Sequence, residues 1–447
     1  MSTPQLVCGL MSGTSCDAVD GALVWTNGVD YLRLGPTMEL PIPSTLRKKI
    51  RTLQQWADKT YESNDENIRQ RVVSSFMSCS QRDAPNPHPL ACEIEEELVQ
   101  LHALVVAGLL QQLPKENKDS LSLIGYHGQT ITHFPPSRTN LSKHDRPPLT
   151  WQLGDGQKLA TLTQTPVVFR FRDNDILLGG EGAPLAPAYH RCLSTSMLMV
   201  TTPSSQQTDM KEAANSEIAV LNIGGVSNIT ICTSNTNTEH DGMLAFDVGP
   251  GNALLDDFMM QRTTVPMDMN GTSALSGTPN EDFIRHAMQN GPLGKFLQGK
   301  APKSCDRDQF IQSLDMDTLS KMSTQDGAAS LTMLTARCVC DALSRVPSWT
   351  HAWRQTLSSS PRLLVVSGGG RKNSTLMSYL STQLGNHVRV VTTEEIEWRG
   401  DSVEAEAFAY LAVRSIRNLP LSWPGTTGVQ TAATGGVLVH PEQNNNK

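Results

Sequence analysis

Apolar positions along this chain fall into short runs that stop at glycine or polar turns. Leu6 to Val24 reads as two strands joined by a tight turn around Ser12-Gly-Thr-Ser15. Apolar spacing from Leu46 to Leu53 and from Glu93 to Leu113 predicts helices, the second with Glu93 and Glu97 suited to a first turn. Leu121 to Tyr126 and Thr165 to Phe171 predict buried strands, each followed by a glycine-rich or polar turn. Further strands are expected over Glu217 to Ile231, Leu244 to Val248, Arg362 to Ser367 and Val388 to Thr392. Helices are expected over Ala253 to Met260, Thr332 to Val346 and Ser402 to Ile416. Polar stretches at 81–88, 134–148 and 201–215 read as loops. Strands interleaved with helices point to the α/β class.

Composition narrows the picture. A chain of 447 residues with 38% hydrophobic content can fill the cores of two or three domains. The net charge is −7 and the longest basic run is Arg47-Lys48-Lys49, which argues against nucleic acid or an anionic membrane as partner. No run approaches the roughly 20 apolar residues of a membrane span, and Asp17 and Asp20 interrupt the N-terminal apolar stretch, so a cytoplasmic protein is expected. The nine cysteines are odd in number and lack paired CxxC spacing, which predicts free thiols and no zinc site.

The candidate chemistry gathers where apolar strands meet glycine: near Gly13, Gly128, Gly224, Gly249 and Gly368. Ligands of α/β sheets bind outside the carboxyl ends of strands, so this recurrence suggests a nucleotide site. Gly13 admits an anion close to the backbone, Thr14 and Ser15 offer hydroxyl and N–H donors, and Asp17 and Asp20 offer carboxylates to magnesium. The plainer alternative is a solvent-facing hairpin with an acidic tip. Gly224, Gly225, Gly249, Gly251 and Asn252 extend the nucleotide side, and so do Gly368, Gly369, Gly370 and Asn373. Three consecutive glycines cost backbone entropy, which close approach of an adenine or ribose phosphate would justify.

A sugar kinase also needs a carboxylate base, for which Asp247 is the candidate; an Asx-turn opening the next helix is the alternative, as an N-cap is for Asn252. Arg172 and Asp175 stand beside the glycine-rich loop containing Gly182, a cation and an acceptor suited to a polyhydroxylated ligand or to a surface ion pair. His127, Gln129 and Thr130 could hydrogen-bond sugar hydroxyls. Lys303 could reach a ligand anion or solvent, and Glu404 could face a ligand or water.

Taken in order, these motifs resemble the anhydro-N-acetylmuramic acid kinases and their levoglucosan kinase relatives in the sugar kinase and actin superfamily. The resemblance runs from about Leu6 to Pro441. It rests on Met11-Ser-Gly-Thr-Ser-Cys-Asp-Ala-Val-Asp20, Gly125-Tyr-His-Gly-Gln-Thr130, Phe171-Arg172 with Asp175, and Gly179-Gly-Glu-Gly-Ala-Pro-Leu185. Leu221-Asn-Ile-Gly-Gly225, Phe246-Asp-Val-Gly-Pro-Gly-Asn252, Ala301-Pro-Lys-Ser304 and Ser367-Gly-Gly-Gly370 complete it. The resemblance implies two actin-like (ribonuclease H-like) ATPase domains around a deep cleft. The first is expected over 1–167, completed by 410–447, and the second over 168–409.

It further implies ATP and Mg2+, a homodimer, and hydrolytic opening of a 1,6-anhydro sugar with phosphorylation of the released O6. Asp247 takes the place of the base, and Glu404 a carboxylate placing water or, with Asp17, metal. Cys16, Ala18, Arg170, Glu181 and Cys305-Asp306 depart from the family pattern close to the sugar motifs. Levoglucosan remains an alternative substrate. A non-catalytic actin-like sensor of ATP and sugar, and a kinase of open sugars, are the rival readings.

Overall fold

Two compact units divide the chain: 1–196 with 402–447, and 197–401. The structure is a computed structural model that describes residues 3–13, 15–63, 65–80, 88–115, 120–139, 147–200, 218–233, 242–301, 303, 310–347, 349 and 362–442. Thr14, most of the polar stretches at 81–88 and 201–215, and 140–146 of the third lie outside the described residues.

The first unit holds β1 (Gln5–Ser12), β2 (Ala18–Thr26), β3 (Leu32–Pro41), β4 (Leu121–Phe134), β5 (Leu149–Leu153), β6 (Val167–Phe169) and, near the C-terminus, β12 (Val437–Val439). They form one seven-stranded sheet ordered β12-β6-β4-β1-β2-β3, with β5 paired to β4. β1, β2 and β3 pair antiparallel, whereas β4 runs parallel to both β1 and β6. The second unit holds β7 (Ile218–Ile223), β8 (Val226–Cys232), β9 (Met243–Pro250), β10 (Arg362–Ser367) and β11 (Val388–Thr392), ordered β11-β10-β7-β8-β9. Here β7, β8 and β9 pair antiparallel, and β10 runs parallel to β7 and β11. Both units therefore repeat one plan, an antiparallel meander continued on the side of its first strand by two parallel strands. This is the actin-like (ribonuclease H-like) α/β arrangement, and the parallel strands require the helical crossovers between them.

β1 is apolar from Leu6 to Met11 because both its faces are covered. Leu6, Cys8 and Leu10 join the core with Leu46 and Ile50 of helix Ser44–Tyr61 and with Leu98 and Val105 of helix Pro89–Gln111. On the other face Gly9 lies against helix Val403–Ile416, where a Cβ would come within 1.8 Å of the Ala405 carbonyl oxygen. Gly125 of β4 does the same, 2.1 Å from the Phe408 carbonyl oxygen. Two glycines on adjacent strands thus let one helix lie directly on the sheet. The helix belongs with the first unit, and the compact units change over at 196 and 401, where the sequence suggested 167 and 409.

Several elements depart from the sequence reading. The strand expected over Glu217 to Ile231 is a hairpin, β7 and β8, turning at Gly224-Gly225. β4 does not stop at Tyr126 but continues to Phe134, with Gly128 held at φ +76° inside it. Likewise β9 continues through Asp247 and Gly249 to Pro250, so two of the five glycine sites lie within strands.

Candidate functional site

In the first unit, β1 and β2 form the expected hairpin, pairing Ser12 with Val19 and Met11 with Asp20. Gly13 ends β1, and its carbonyl accepts from Cys16 N at 3.1 Å and from Gln129 Nε2 at 3.1 Å. Gln129 is fully buried, and its Oε1 has no hydrogen-bond partner among the described residues. Two arginines of helix Ser44–Tyr61 hold the rest of the turn: Arg51 donates to the Ser15 carbonyl at 2.9 Å and Arg47 to the Asp17 carbonyl at 3.2 Å. Arg47 also pairs with the exposed Asp17 carboxylate at 3.2 Å. Asp17 is thus already neutralised by a guanidinium. Asp20 sits within β2, opposite Met11 on one side and Glu39 on the other.

Beside this turn, the buried His127 pairs with the half-buried Arg172. His127 Nδ1 lies 2.7 Å from the Gly128 carbonyl oxygen, while Arg172 Nε and Nη2 each lie 3.1 Å from Nε2. Since a guanidinium only donates, Nε2 must accept and Nδ1 must carry the proton. Burial holds the imidazole pKa well below its ordinary range and the Arg172 charge pushes it the same way, so His127 stays neutral. The Gly128 carbonyl also accepts from Ser12 Oγ at 3.2 Å, so β4 and the first turn share an acceptor. Thr130, two residues on, offers its carbonyl to Gln54 Nε2 at 2.9 Å.

Arg172 Nη1 donates to the Gly182 carbonyl at 2.9 Å. Gly182 is placed in turn by Asp175, whose Oδ1 accepts from Gly182 N at 2.6 Å. The other oxygen accepts from Thr427 Oγ1 at 2.6 Å and from Ser422 Oγ. Asp175 is 2% exposed, and both its carboxylate oxygens are taken up by this loop and the two hydroxyls. Glu181 N donates to the Thr427 carbonyl at 2.7 Å, and its carboxylate accepts from Ser137 N and Oγ. Glu404 opens helix Val403–Ile416 with its side chain exposed and makes no hydrogen bond or ion pair among the described residues. The protein packed around it raises its carboxyl pKa, which Arg172 partly offsets.

In the second unit three strand ends meet at Asn252. Its N–H donates to the Gly224 carbonyl at 2.7 Å and its Nδ2 to the Ile223 carbonyl at 3.3 Å, while its side chain makes no cap bond to the helix Ala253–Thr263 that follows. The Gly368-Gly369-Gly370 turn lies against the same amide, since a Cβ on Gly369 or Gly370 would stand 3.5 or 3.2 Å from its side chain. These glycines are not equivalent. A Cβ on Gly370 would fall 2.3 Å from Ile223 Cγ2, and Gly368 has φ +74° with Asn222 Oδ1 2.4 Å from such a Cβ. Packing alone requires glycine at both, contrary to the reading of all three as ligand-driven. Gly224, Gly225 and Gly369 have room for a methyl group, and nothing in the fold demands glycine there.

Asp247 stands inside β9 opposite Asn228, where β8 carries a register shift, and not in a turn leading into the helix. Its N–H donates to the Lys303 carbonyl at 2.9 Å. The Lys303 ammonium donates to the Phe296 carbonyl at 2.9 Å and lies 4.4 Å from the Phe296 ring. Asn373 Oδ1 caps helix Ser374–Leu384 by accepting from Leu376 N at 2.9 Å. Gly251 is fixed by packing, with Gly224 O 2.2 Å from where its Cβ would stand, and Gly249 abuts Cys338. Among the described residues no group of three His, Cys, Asp or Glu side chains could hold a metal.

Sequence reasoning missed Ser422 and Thr427, which lie 247 and 252 positions from the carboxylate they bind. No local pattern carries such a pairing.

A family model described as anhydro-N-acetylmuramic acid kinase matches residues 5–84 and 65–441. The anhydro-N-acetylmuramic acid kinase of Rhodopseudomonas palustris strain HaA2 is 36% identical over 433 residues, covering 97% of this chain and 98% of that one. That of Rhizorhabdus wittichii is 36% identical over 442 residues, covering 98% and 100%. Among solved structures, the activator of the 2-hydroxyisocaproyl-CoA dehydratase from Clostridium difficile covers 93% of this chain and 96% of its own at 12% identity and a TM-score of 0.37. So faint a likeness adds nothing to the strand order described above.

Proposed function

The chain belongs to the anhydro-N-acetylmuramic acid kinase family, and from that premise we propose that it opens a 1,6-anhydro sugar with water and transfers the γ-phosphoryl group of ATP to the freed O6. The observation that carries this reading is the in-strand carboxylate Asp247 in the same unit as three glycine-bearing strand ends that meet at Asn252. Gly224, Gly225 and Gly369 leave their backbone open where no packing calls for it, as close approach of phosphate or ribose requires. In the first unit, Arg172 retains one N–H on each of Nη1 and Nη2 beyond those given to His127 and Gly182, and these suit sugar hydroxyls or a carboxylate.

Asp247 acts as general base. It takes a proton from the attacking water; the new bond forms at the anomeric carbon as the bridging C1–O6 bond breaks, and O6 becomes the phosphoryl acceptor. Magnesium, carried by the nucleotide phosphates, would neutralise charge on the transferred group. Of the two carboxylates expected for it, Asp17 is engaged by Arg47, while Glu404 is available. A 1,6-anhydro-N-acetylmuramic acid substrate follows the relatives' activity. A cytoplasmic location and a homodimer belong to the same proposal. Among the described residues no helix is long and apolar enough to cross a membrane.

The test is ADP release with Mg-ATP against 1,6-anhydro-N-acetylmuramic acid, levoglucosan, 1,6-anhydro-N-acetylglucosamine and glucose. Turnover is expected on an anhydro sugar, with Asp247→Asn slower by roughly 10²–10⁴-fold at unchanged melting temperature. Turnover on glucose alone, or an Asp247→Asn protein of near-normal rate, would sink the reading. Sugar binding without ADP release would make the protein a sensor.

A further inference from the structure

The Arg172 guanidinium is held by a chain of hydrogen bonds that starts far away in sequence, beyond helix Val403–Ile416. Ser422 Oγ and Thr427 Oγ1 both donate to Asp175 Oδ2, and all three residues are buried, at 1%, 0% and 2% exposure. Asp175 Oδ1 accepts from Gly182 N at 2.6 Å, and the Gly182 carbonyl accepts from Arg172 Nη1 at 2.9 Å. Arg172 then directs Nε and Nη2 at His127 Nε2. The loop has little freedom to find another arrangement: a Cβ on Gly180 would meet the Asp175 carboxylate at 2.2 Å, and Gly182 sits at φ +71° over Ile176. Its other tether, Glu181 N to the Thr427 carbonyl at 2.7 Å, leads to the same C-terminal residue.

We propose that Ser422 and Thr427 are positioning residues: through Asp175 and Gly182 they aim Arg172, fix His127 as a neutral acceptor, and thereby set affinity for the sugar. A buried carboxylate needs its donors. Without the two hydroxyls Asp175 keeps only the Gly182 N–H; it turns towards water or takes up a proton, and the Gly182 carbonyl leaves the guanidinium. Both hydroxyls stand on the short stretch from Ser422 to Thr427, which includes Pro424 and the helix Pro424–Thr427. The preformed geometry spares the ligand the cost of ordering the arginine.

The sugar part of this inference rests on the kinase reading, whereas the aiming of Arg172 does not, and two readouts separate them. The first needs no substrate: a ¹⁵N NMR titration of the His127 imidazole, assigned with His127→Gln. In Ser422→Ala/Thr427→Val, His127 is expected to titrate at higher pH than in the wild type, and Thr427→Ser should behave as wild type. The second is kinetic: the double variant is expected to raise the sugar KM by about tenfold, the scale of one weakened hydrogen bond to a charged group, with the ATP KM within twofold. Should the double variant not fold, Thr427→Val alone carries both measurements with smaller shifts. An unchanged His127 titration in a folded variant overturns the proposal. So does a loss of activity that merely tracks the folded fraction, with both KM values unmoved. If the wild type turns over no anhydro sugar, the kinase reading fails, and the NMR result still decides the positioning.

Discussion

At Gly368-Gly369-Gly370 the structure separates two reasons for a glycine that sequence cannot distinguish. Gly370 faces Ile223 and Gly368 occupies the left-handed region, so both are fixed by the fold, whereas Gly369 has only Asn252 Nδ2 at 3.5 Å from its would-be Cβ. The expected outcomes therefore diverge. Gly370→Ala should destabilise by about 1–3 kcal/mol through overpacking. Gly369→Ala should melt with the wild type, within about 0.5 kcal/mol, yet, on the proposed role of this turn, raise the ATP KM severalfold because the added methyl would stand in the nucleotide's path. Melting curves and ATP titrations of the two variants check this; a Gly369→Ala protein with normal ATP affinity would leave that glycine without a role. The sequence marked all three because runs of glycine are visible, but it carried no sign of Ile223 on one side and open space on the other. The same limit applies to Asp175, Asn373 and Lys303, whose chemistry suggested ligands and whose polar atoms serve the protein's own backbone and hydroxyls.

Elements were legible where an apolar run ended at a strong signal. The sequence anticipated β11 with its observed bounds, and helix Val403–Ile416 to within one residue at its start. β3 escaped because it is an edge strand, half exposed and interrupted by Gly35 and Pro36, so no clean alternation survives in its sequence. β7 and β8 were fused into one strand because the Gly224-Gly225 turn is flanked by apolar residues on both sides. A residue pattern gives no hint that Gly9 and Gly125 share a task, yet both lie under helix Val403–Ile416, the element that opens with Glu404. Gly125→Ala would drive a methyl to 2.1 Å from the Phe408 carbonyl oxygen, backbone against backbone with nothing flexible to yield. The expected cost is about 2–4 kcal/mol, the upper end of overpacking. Because the helix must lift, His127, whose ring centroid is 4.6 Å from that of Phe408, should show an altered NMR signal in the same variant. A normally stable Gly125→Ala protein would mean that the helix does not lie on the sheet as described.

Over the whole chain, buried titratable groups give the two units different acid tolerance. His102, His127, His133 and His190 all belong to the first unit, and burial is the leading cause of depression at each. It brings His102 and His190 down to about 4 and His133 to about 3, with the Arg172 charge adding to the effect at His133 and His127. A base whose folded pKa is depressed stabilises fully above its unfolded value, about 6.5, and that stability is lost as the pH falls from there towards the folded value. Glu95, raised to about 7 mainly by burial, works the other way: its contribution is complete below its unfolded value of about 4.3 and disappears as the pH rises through 7. As the pH falls below 6.5, His88 joins these four in favouring the unfolded first unit, while Asp173, Glu181 and Glu404, whose carboxyl pKa values burial also raises, join Glu95 in favouring the folded state. The histidines reach their unfolded pKa of about 6.5 first, so the unfolded chain begins to gain protons there, each net proton costing the folded state about 1.4 kcal/mol per pH unit. The first unit, which holds all of these histidines, should therefore lose stability before the second as the pH falls. Hydrogen exchange read by mass spectrometry, stepped from pH 7 to 4.5 with correction for intrinsic rates, should show peptides from 1–196 and 402–442 losing protection before those from 218–401. Loss in the second unit first, or protection of both units intact at pH 4.5, would show that these histidines accept protons in the folded state and are not sealed from water as their burial requires.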